Sequence, residues 1–163
     1  MKATALLKKD HAVVKKLLAD FSRTTARAPR RRQALIDKIA QELEIHSTIE
    51  EELFYPAVKN LRGGERLVDE AESEHKEVDG LVAEAQGLSM DTDEVVQKVK
   101  ELRNAVVHHA TEEEGQMFPV AEKGLGQQLM ELGEQMAFRK KELATSRVQK
   151  AKRVLKKAAR KIA

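Results

Sequence analysis

The sequence predicts an all-α protein: a four-helix, up-down bundle built from two repeated helical hairpins, followed by a basic C-terminal helix. Aromatic residues make up only 3% of the 163 residues and charged residues 35%. This composition excludes an all-β fold, because strands favour aromatic and β-branched residues. Apolar residues recur at alternating spacings of three and four, and glycine or proline separates the segments that carry them. That period indicates helices with one apolar face each.

Local signals bound the two helices of the first hairpin. The first helix is predicted from about Thr4 to Arg27. Pro29 suits the first turn of the second helix, because proline lacks an N–H that this turn leaves unpaired in any case. Gly63 and Gly64 end the second helix.

The second hairpin follows the same plan. Its first helix stops near Gly87, and the polar side chains between residues 89 and 93 are suited to cap the next helix. Gly124 and Gly126 then end that helix, and a further helical stretch continues to the C-terminus.

Charge divides the chain into two parts. Residues 1–138 carry a net charge of −7, whereas the residues from Arg139 onward carry +10. We predict a bundle over residues 1–123 and a basic helical extension over residues 124–163. Lys and Arg surround an apolar seam in the extension, formed by Ala144, Val148, Ala151, Leu155, Ala158 and Ile162.

This extension has several candidate roles. A basic amphipathic helix binds nucleic acid, an anionic membrane or an acidic partner, or it packs on the acidic bundle or against a second subunit. The residues from Arg139 onward lack aromatic side chains and a recognisable DNA-binding motif. Packing or dimerisation is therefore favoured over nucleic acid, and the chain is expected to be a monomer or a homodimer.

Composition also excludes several chemistries. Cysteine is absent, which excludes disulfides, thiolate metal ligands and thiol catalysis. No apolar run approaches the ~18 residues that cross a bilayer, and the N-terminal apolar stretch is too short for a signal peptide. We expect a cytoplasmic protein without a membrane span.

The two hairpins are repeats of one another. The matching signatures are HSTIEEELFYP and HATEEEGQMFP, each with Glu four residues after His and an aromatic-Pro pair at the end. The paired positions, at offsets of 63 or 64 residues, are His11 and His75, His46 and His109, Glu50 and Glu113, Tyr55 and Phe118, and Pro56 and Pro119. The chain is therefore a duplicated helical hairpin.

Six polar residues occupy the otherwise apolar seams of these helices. Residues four apart project from one helix face, so each His-x-x-x-Glu pair faces the core. Burying carboxylates and imidazoles there is costly unless something compensates them. Metal ions are the natural compensation, and six ligands from four helices match a dinuclear site in a bundle core. The alternative is a set of ordinary buried polar residues that happen to align. The six are His11, His46, Glu50, His75, His109 and Glu113.

His108 also has a glutamate four residues on, Glu112. The repeat favours His109 and Glu113 as the site pair, because they keep the distance to Pro119 that the first signature keeps to its own proline. His108 points about 100° away from His109. We interpret it as a surface histidine, with a role behind the ligands as the alternative.

The six-residue pattern resembles the hemerythrin-like, or HHE cation-binding, family. All six positions match in order on the corresponding helices, over about residues 5–120. The resemblance implies a non-haem di-iron centre in which both glutamates bridge the metals and two histidines bind each one. It also implies reversible O2 binding or sensing, with iron handling, NO handling and peroxide chemistry as variants within the family.

The donor types agree with two irons per chain. Imidazole and carboxylate without thiolate suit iron, with manganese or zinc as alternatives. Two bridging carboxylates, four imidazoles and an oxo or hydroxo bridge leave about one open position on each metal for O2, peroxide or NO. Only two carboxylates supply negative charge, which favours binding O2 over splitting it.

Two departures from the oxygen-carrying members shape the hypotheses. Those members carry a second histidine four residues after the third-helix histidine, where this chain has Asp79. Their last carboxylate is an aspartate five residues beyond its histidine, whereas Glu113 comes at four. Asp79 is either a replacement ligand or, as we favour, a helix-surface acid. The chain thus looks like the bacterial HHE branch, which argues against simple O2 transport.

Three functions remain open on these grounds. The leading hypothesis is a di-iron protein that binds O2 for carriage, sensing or related NO handling. The first alternative is a peroxide-consuming, oxidase-type or iron-handling di-iron protein, in which case the chain is an enzyme. The second is a helical scaffold whose basic tail binds nucleic acid.

Tyr55 is the only tyrosine, and its repeat partner is Phe118. On an ideal helix Tyr55 lies about 140° from Glu50, which aims its hydroxyl away from the metals. Pro56 removes a backbone donor, so the turn is expected to be distorted or widened, and one extra residue would swing the phenol back. Tyr55 is then an additional iron ligand that favours peroxide turnover. The favoured alternative is a core ring whose hydroxyl bonds to backbone or water.

Overall fold

The computed structural model describes residues 1–162, which are helical over nearly their whole length. The helices are α1 (Ala3–Ser22), α2 (Pro29–Ile49), α3 (Tyr55–Lys59), α4 (Gly64–Gln86), α5 (Asp93–Glu112), α6 (Phe118–Leu125) and α7 (Gln128–Ile162). Two five-residue π-helical turns, π1 (Glu50–Phe54) and π2 (Glu113–Met117), join α2 to α3 and α5 to α6. The part of the chain described contains no strand.

Four long helices form the bundle. Helix α1 packs against α2 and α5, and α4 packs against α5 and α2, so the four helices close into a ring. Each π turn and its following short helix extend the second helix of a hairpin. The predicted all-α, four-helix architecture is confirmed.

The helix ends follow the sequence signals with one difference. Pro29 opens α2, and the Thr92 side chain accepts a hydrogen bond from the Val95 N–H at the start of α5. Helix α1 ends at Ser22, about one turn before the predicted Arg27. The Thr24 hydroxyl and amide both bind the carbonyl of Phe21, which closes the last turn of α1.

Two apolar clusters fill the bundle, one at each end. The first surrounds π1 and π2 and contains Leu7, Ile49 and Phe118, whereas the second contains Val14 and Ile39. Each histidine of the predicted set lies between members of the two clusters along its own helix. The polar residues therefore form one layer between two apolar layers.

Helix α7 packs along the bundle over its first half only. Buried Leu129 and Met136 contact the apolar cluster around the π turns. Gly133 lies so close to the N-terminal backbone that a Cβ atom there would be 2.0 Å from the carbonyl oxygen of Met1. Beyond Arg147, every residue from 148 to 162 is exposed.

Three ion pairs hold α7 to the bundle. The Arg139 guanidinium lies 2.7 Å from the Glu52 carboxylate of π1. Lys140 pairs with Asp10 of α1, and Arg147 pairs with Glu44 of α2. In the described part of the chain, no helix is both long enough and apolar enough to cross a membrane.

Candidate metal centre

The structure brings the six predicted residues together in the polar layer. All six are buried, with 0–5% of their surface exposed. Helices α1, α2, α4 and α5 each supply one histidine, and the first residues of π1 and π2 supply the two glutamates.

The two π turns position the glutamates and the aromatic residues that follow them. In π1 the Tyr55 N–H donates to the carbonyl of Glu50, and in π2 the Phe118 N–H donates to the carbonyl of Glu113. A π turn accommodates one extra residue, so the fifth residue after each glutamate returns to the glutamate's side of the helix. The proline that follows each aromatic residue cannot donate to an α-helical ladder, which accounts for the widened turn.

The histidines form two pairs on opposite sides of the centre. Pair A consists of His11 and His46, whose ring centroids are 4.8 Å apart. Pair B consists of His75 and His109, whose ring centroids are 4.7 Å apart and whose Nε2 atoms are 3.2 Å apart.

Each glutamate presents one carboxylate oxygen to each pair. Glu50 Oε1 lies 3.0 Å from His46 Nε2 and its Oε2 lies 3.0 Å from His75 Nε2. Glu113 Oε2 lies 3.2 Å from His11 Nε2 and its Oε1 lies 3.5 Å from His109 Nε2. The two carboxylates therefore lie between the two imidazole pairs, in an arrangement that could hold a metal cation.

The donor atoms fit a cation because they leave buried polar groups unsatisfied. Within residues 1–162, the buried side-chain atoms that lack a hydrogen-bond partner are His11 Nε2, His46 Nε2, Glu50 Oε1 and Glu113 Oε2. All four belong to the side of pair A and converge on one another. Together with His109 they offer ligand atoms that lie within 4.8 Å of each other. A bound metal cation would satisfy these atoms.

A carboxylate lies behind every histidine of the centre. The contacts of the four Nδ1 atoms are His11 with Glu114 at 2.9 Å, His46 with Asp10 at 3.3 Å, His75 with Glu51 at 2.9 Å and His109 with Glu74 at 3.1 Å. A carboxylate that accepts from Nδ1–H directs the Nε2 lone pair toward the centre and raises its basicity.

These four acids are not among the residues predicted from the sequence, although the repeat carries a signal for them. Asp10 and Glu74 directly precede the first histidine of each hairpin. Glu51 and Glu114 directly follow the glutamate of each signature. Extending the repeat by one residue around each candidate ligand would have found them.

Tyr55 lies inside the site. Its hydroxyl donates to Glu113 Oε1 at 2.6 Å, lies 3.3 Å from Glu50 Oε2 and is 3.1 Å from His75 Nε2. The hydroxyl therefore contacts the site itself, not the backbone or water that the favoured sequence interpretation assigned to it. The widened turn expected before Pro56 is the reason, since π1 returns the ring to the side of Glu50.

Burial and neighbouring charges shift the acid–base behaviour of the metal-free site. Burial lowers the pKa of His46, but the Glu50 charge and the Asp10 hydrogen bond outweigh it and raise this pKa to about 10. Burial likewise lowers the pKa of His75, and hydrogen bonds to Glu50 and Glu51 help to raise it to about 9. Both imidazoles are therefore cationic at neutral pH in the metal-free protein.

The pKa values of Glu50 and Tyr55 shift in opposite directions. Burial raises the pKa of Glu50, but the charges and hydrogen bonds of His46 and His75 hold it well below its ordinary range. Burial and the adjacent Glu50 and Glu113 charges raise the pKa of Tyr55 well above its ordinary value. The phenol is therefore protonated in the metal-free site.

The remaining two candidates lie outside the donor cluster. Asp79 is exposed and lines a surface groove between α2 and α4, one turn beyond His75. The His108 side chain is 65% exposed, and its Nε2 lies 3.0 Å from the same Glu74 carboxylate that binds His109. His108 thus contacts Glu74, the carboxylate that lies behind His109.

A surface cleft between α4 and α5 reaches the site. It has a volume of about 390 Å³ and is lined by Glu74, His108 and Glu113, among others. Because Glu113 is one of the two central carboxylates, the cleft offers a small molecule a route to the side of pair B.

The buried histidine and glutamate donors on four helices define a cation-binding helical bundle. The family described as hemerythrin HHE cation binding domain matches residues 2–121 of the chain. The chain belongs to this family.

Two known proteins illustrate the similarity. The crystal structure of a hemerythrin HHE cation binding domain-containing protein from Mycobacterium kansasii, a homolog of Rv2633c, superimposes with a TM-score of 0.82 at 29% identity and covers 93% of each chain. A DNA nickase from Nostoc sp. is 27% identical over 126 residues, or 77% of this chain. The matched region is 35% of the length of that nickase.

Proposed function

We propose that the chain holds two iron ions between its histidine pairs and binds O2 there, for carriage, sensing or related NO handling. The observation that carries the proposal is the division of each carboxylate, with one oxygen of Glu50 and of Glu113 toward each pair. Imidazole and carboxylate donors suit iron, and manganese or zinc are the competing metals.

Each part of the site has a task in this proposal. The histidines of pair A and pair B would hold the metal together with Glu50 and Glu113. The acids behind the histidines keep Nδ1 protonated and Nε2 free to bind. The apolar layers above and below exclude water, and the cleft beside Glu113 admits molecules of the size of O2. Iron, when bound, supplies the redox chemistry and the affinity for O2.

Metal analysis tests the first part of the proposal. After anaerobic reconstitution with ferrous iron, we expect close to two irons per chain. A purified and reconstituted sample with well under one iron per chain would contradict the di-iron assignment.

Exposure of the anaerobic diferrous protein to O2 tests the second part. A visible absorption band that appears with O2 and disappears when O2 is removed indicates carriage or sensing. Rapid and irreversible conversion to the diferric form indicates an oxidase or a scavenger instead.

One observation favours a second candidate function, the consumption of peroxide. The Tyr55 hydroxyl contacts Glu113, Glu50 and His75 on the side of pair B. A phenolate donor to iron favours the ferric state, as tyrosinate does at haem iron in catalase. Disproportionation of two H2O2 to O2 and two H2O needs no other reductant, so release of O2 from added peroxide by the iron-loaded protein measures it.

A further inference from the structure

The distal half of α7 has two distinct faces. Between residues 148 and 162 there are seven Lys and Arg and no Asp or Glu. At about 100° per residue, the basic side chains occupy one half of the helix circumference. The other side carries the apolar residues Val148, Ala151, Val154, Leu155, Ala158, Ala159 and Ile162. Every one of these residues is exposed, with Leu155 at 70% and Ile162 at 88%.

The bundle carries a groove of the opposite character. The groove between α2 and α4 has a volume of about 540 Å³. Half-buried Ala40, Leu43 and Val82 supply its apolar side chains, and exposed Asp37 and Asp79 supply its acidic ones. Its lining also includes Arg147, the last α7 residue that pairs with the bundle.

We propose that the distal half of α7 (residues 148–162) docks in the α2–α4 groove of a second copy of this chain, so that two copies exchange these helices reciprocally. The apolar face covers Ala40, Leu43 and Val82, and the basic face meets Asp37 and Asp79. The 15 residues span about 22 Å as a helix, which is long enough to lie along such a groove. Reciprocal exchange gives a two-fold dimer with the same contact made twice.

Within one chain, the distal half of α7 continues past the groove. Arg147 lines the groove, but residues 148–162 remain helical and exposed. Residues 134–162 contain neither glycine nor proline, so this part of α7 has no residue at which helices usually kink. Pairing two distal segments directly with one another is also disfavoured, because it places seven positive charges beside seven more.

A second copy fits both faces of the helix, which other anionic partners do not. Nucleic acid phosphates satisfy the basic face but leave the apolar face in water. An anionic membrane accepts both faces, but this apolar face contains three alanines and no aromatic residue, which gives weak insertion. The bundle supplies apolar side chains and acids together, and residues 1–138 carry a net charge of −7.

The oligomeric state of the full chain tests this proposal. Sedimentation equilibrium at low salt is expected to give twice the 18.3 kDa chain mass. The mass should halve when residues 148–163 are deleted, and also when Asp37→Lys and Asp79→Lys are combined. The matched control is Asp69→Lys with Glu77→Lys, which reverses two exposed α4 acids outside the groove and should leave the dimer intact.

A mixing experiment identifies the contact. The groove variant with an intact tail and the truncated chain with an intact groove are each expected to be monomeric. Mixed together, they should form a pair through one exchanged helix. A full chain that is monomeric at low salt, or a dimer that survives groove reversal, would overturn the proposal. So would tail-dependent binding of double-stranded DNA or phosphatidylserine vesicles by a chain that stays monomeric. None of these readouts depends on iron or O2.

Discussion

At the scale of single residues, one hydroxyl breaks the symmetry of the site. The Tyr55 ring stacks on His75 at a centroid distance of 5.4 Å, and the Phe118 ring stacks on His11 at 6.0 Å. The two rings occupy equivalent positions in the repeat, so packing alone explains an aromatic residue at both positions. The phenolic oxygen is the only added donor, and it lies on the side of pair B.

Tyr55→Phe is therefore expected to change the spectrum more than the iron content. If the phenolate binds iron, the variant loses a broad tyrosinate-to-iron visible band and releases less O2 from peroxide. Iron per chain should remain near that of the unchanged protein, because the six other donors are untouched. The converse change, Phe118→Tyr, is the matched control for adding a hydroxyl on the side of pair A. An unaltered visible spectrum in Tyr55→Phe would reduce Tyr55 to packing.

Adjacent histidines on α5 give a second prediction at this scale. His109 is buried with its Nε2 facing Glu113, whereas the His108 side chain is 65% exposed. We expect His109→Ala to lose most of the bound iron and His108→Ala to retain it, as measured by metal analysis after reconstitution. Equal losses of iron in the two variants would show that the assignment of His109, and not His108, as the ligand is wrong.

At the scale of elements, the two halves of α7 differ in what they contact: the first half packs on the bundle, and residues 148–162 are exposed. Its first half reaches the centre indirectly, because Lys140 pairs with the buried Asp10, which contacts His46 Nδ1 at 3.3 Å. Burial raises the pKa of Asp10, but hydrogen bonds from His46 and Lys140 outweigh it and lower this pKa. Asp10 is the most buried of the four acids behind the histidines, and a cation from α7 compensates it.

Two truncations distinguish the two halves of α7. Deletion of residues 148–163 should leave both the iron content and the rate of iron loss to a chelator unchanged, because residues 148–162 make no contact with the site. Deletion of residues 139–163 should also leave two irons per chain, since no ligand lies there, but it removes Lys140. We expect that chain to lose iron faster to a chelator and to be less stable by about 1–3 kcal/mol, because the buried Asp10 charge loses a partner.

Lys140→Ala in the full chain should reproduce the faster loss of iron, and Lys141→Ala, at an exposed neighbour, should not. If the two truncated chains lost iron to the chelator at the same rate, α7 would have no influence on the centre.

At the scale of the whole molecule, the polar layer divides the core into two apolar clusters, so the bundle depends on how that layer is neutralised. In the metal-free protein, protonated His46 and His75 compensate the buried Glu50 carboxylate. A bound metal would supply this positive charge instead, and His46 and His75 would then be neutral at Nε2.

The metal-free protein should accordingly lose stability at alkaline pH. The pKa values of His46 and His75 are raised to about 10 and about 9 from an ordinary value of 6.5. Their contribution is therefore fully present below pH 6.5 and is lost as pH rises through these two values. Calorimetry from pH 7 to pH 10.5 should show a falling Tm for the metal-free protein and a smaller fall for the iron-loaded protein. A constant Tm of the metal-free protein over this range would contradict the charge assignment.

Much of this organisation could be predicted from the sequence because it depends on period and repetition. Apolar spacing gave the bundle, and the duplicated signatures brought His11, His46 and their repeat partners to one layer. The end of α1 was predicted about one turn too late, because the Thr24 side chain competes with the helix for the Phe21 carbonyl. The spacing of apolar residues does not encode this hydrogen bond between a side chain and the backbone.

The position of the Tyr55 hydroxyl was also hard to predict, because it too depends on a local departure from regular α-helix. Ideal helical geometry directs it away from the site, and only the π turn before Pro56 returns it. The link from Lys140 to Asp10 depends on contact between residues far apart in sequence, which periodicity does not encode. The division of the chain at residue 123 stays a prediction.

The packing of α7 on α1 has a consequence for the order in which the protein is made. Helix α1 leaves the ribosome before α7, yet Gly133 packs on the Met1 carbonyl and Lys140 pairs with Asp10. At about 5–20 residues per second, these partners follow roughly 7–30 s later. For part of that interval, while residues 47–108 are being added, His11 and His46 are already synthesised but His109 and Glu113 are not. The nascent chain then carries half of the candidate metal site, which is complete only after α5 and π2 have been made.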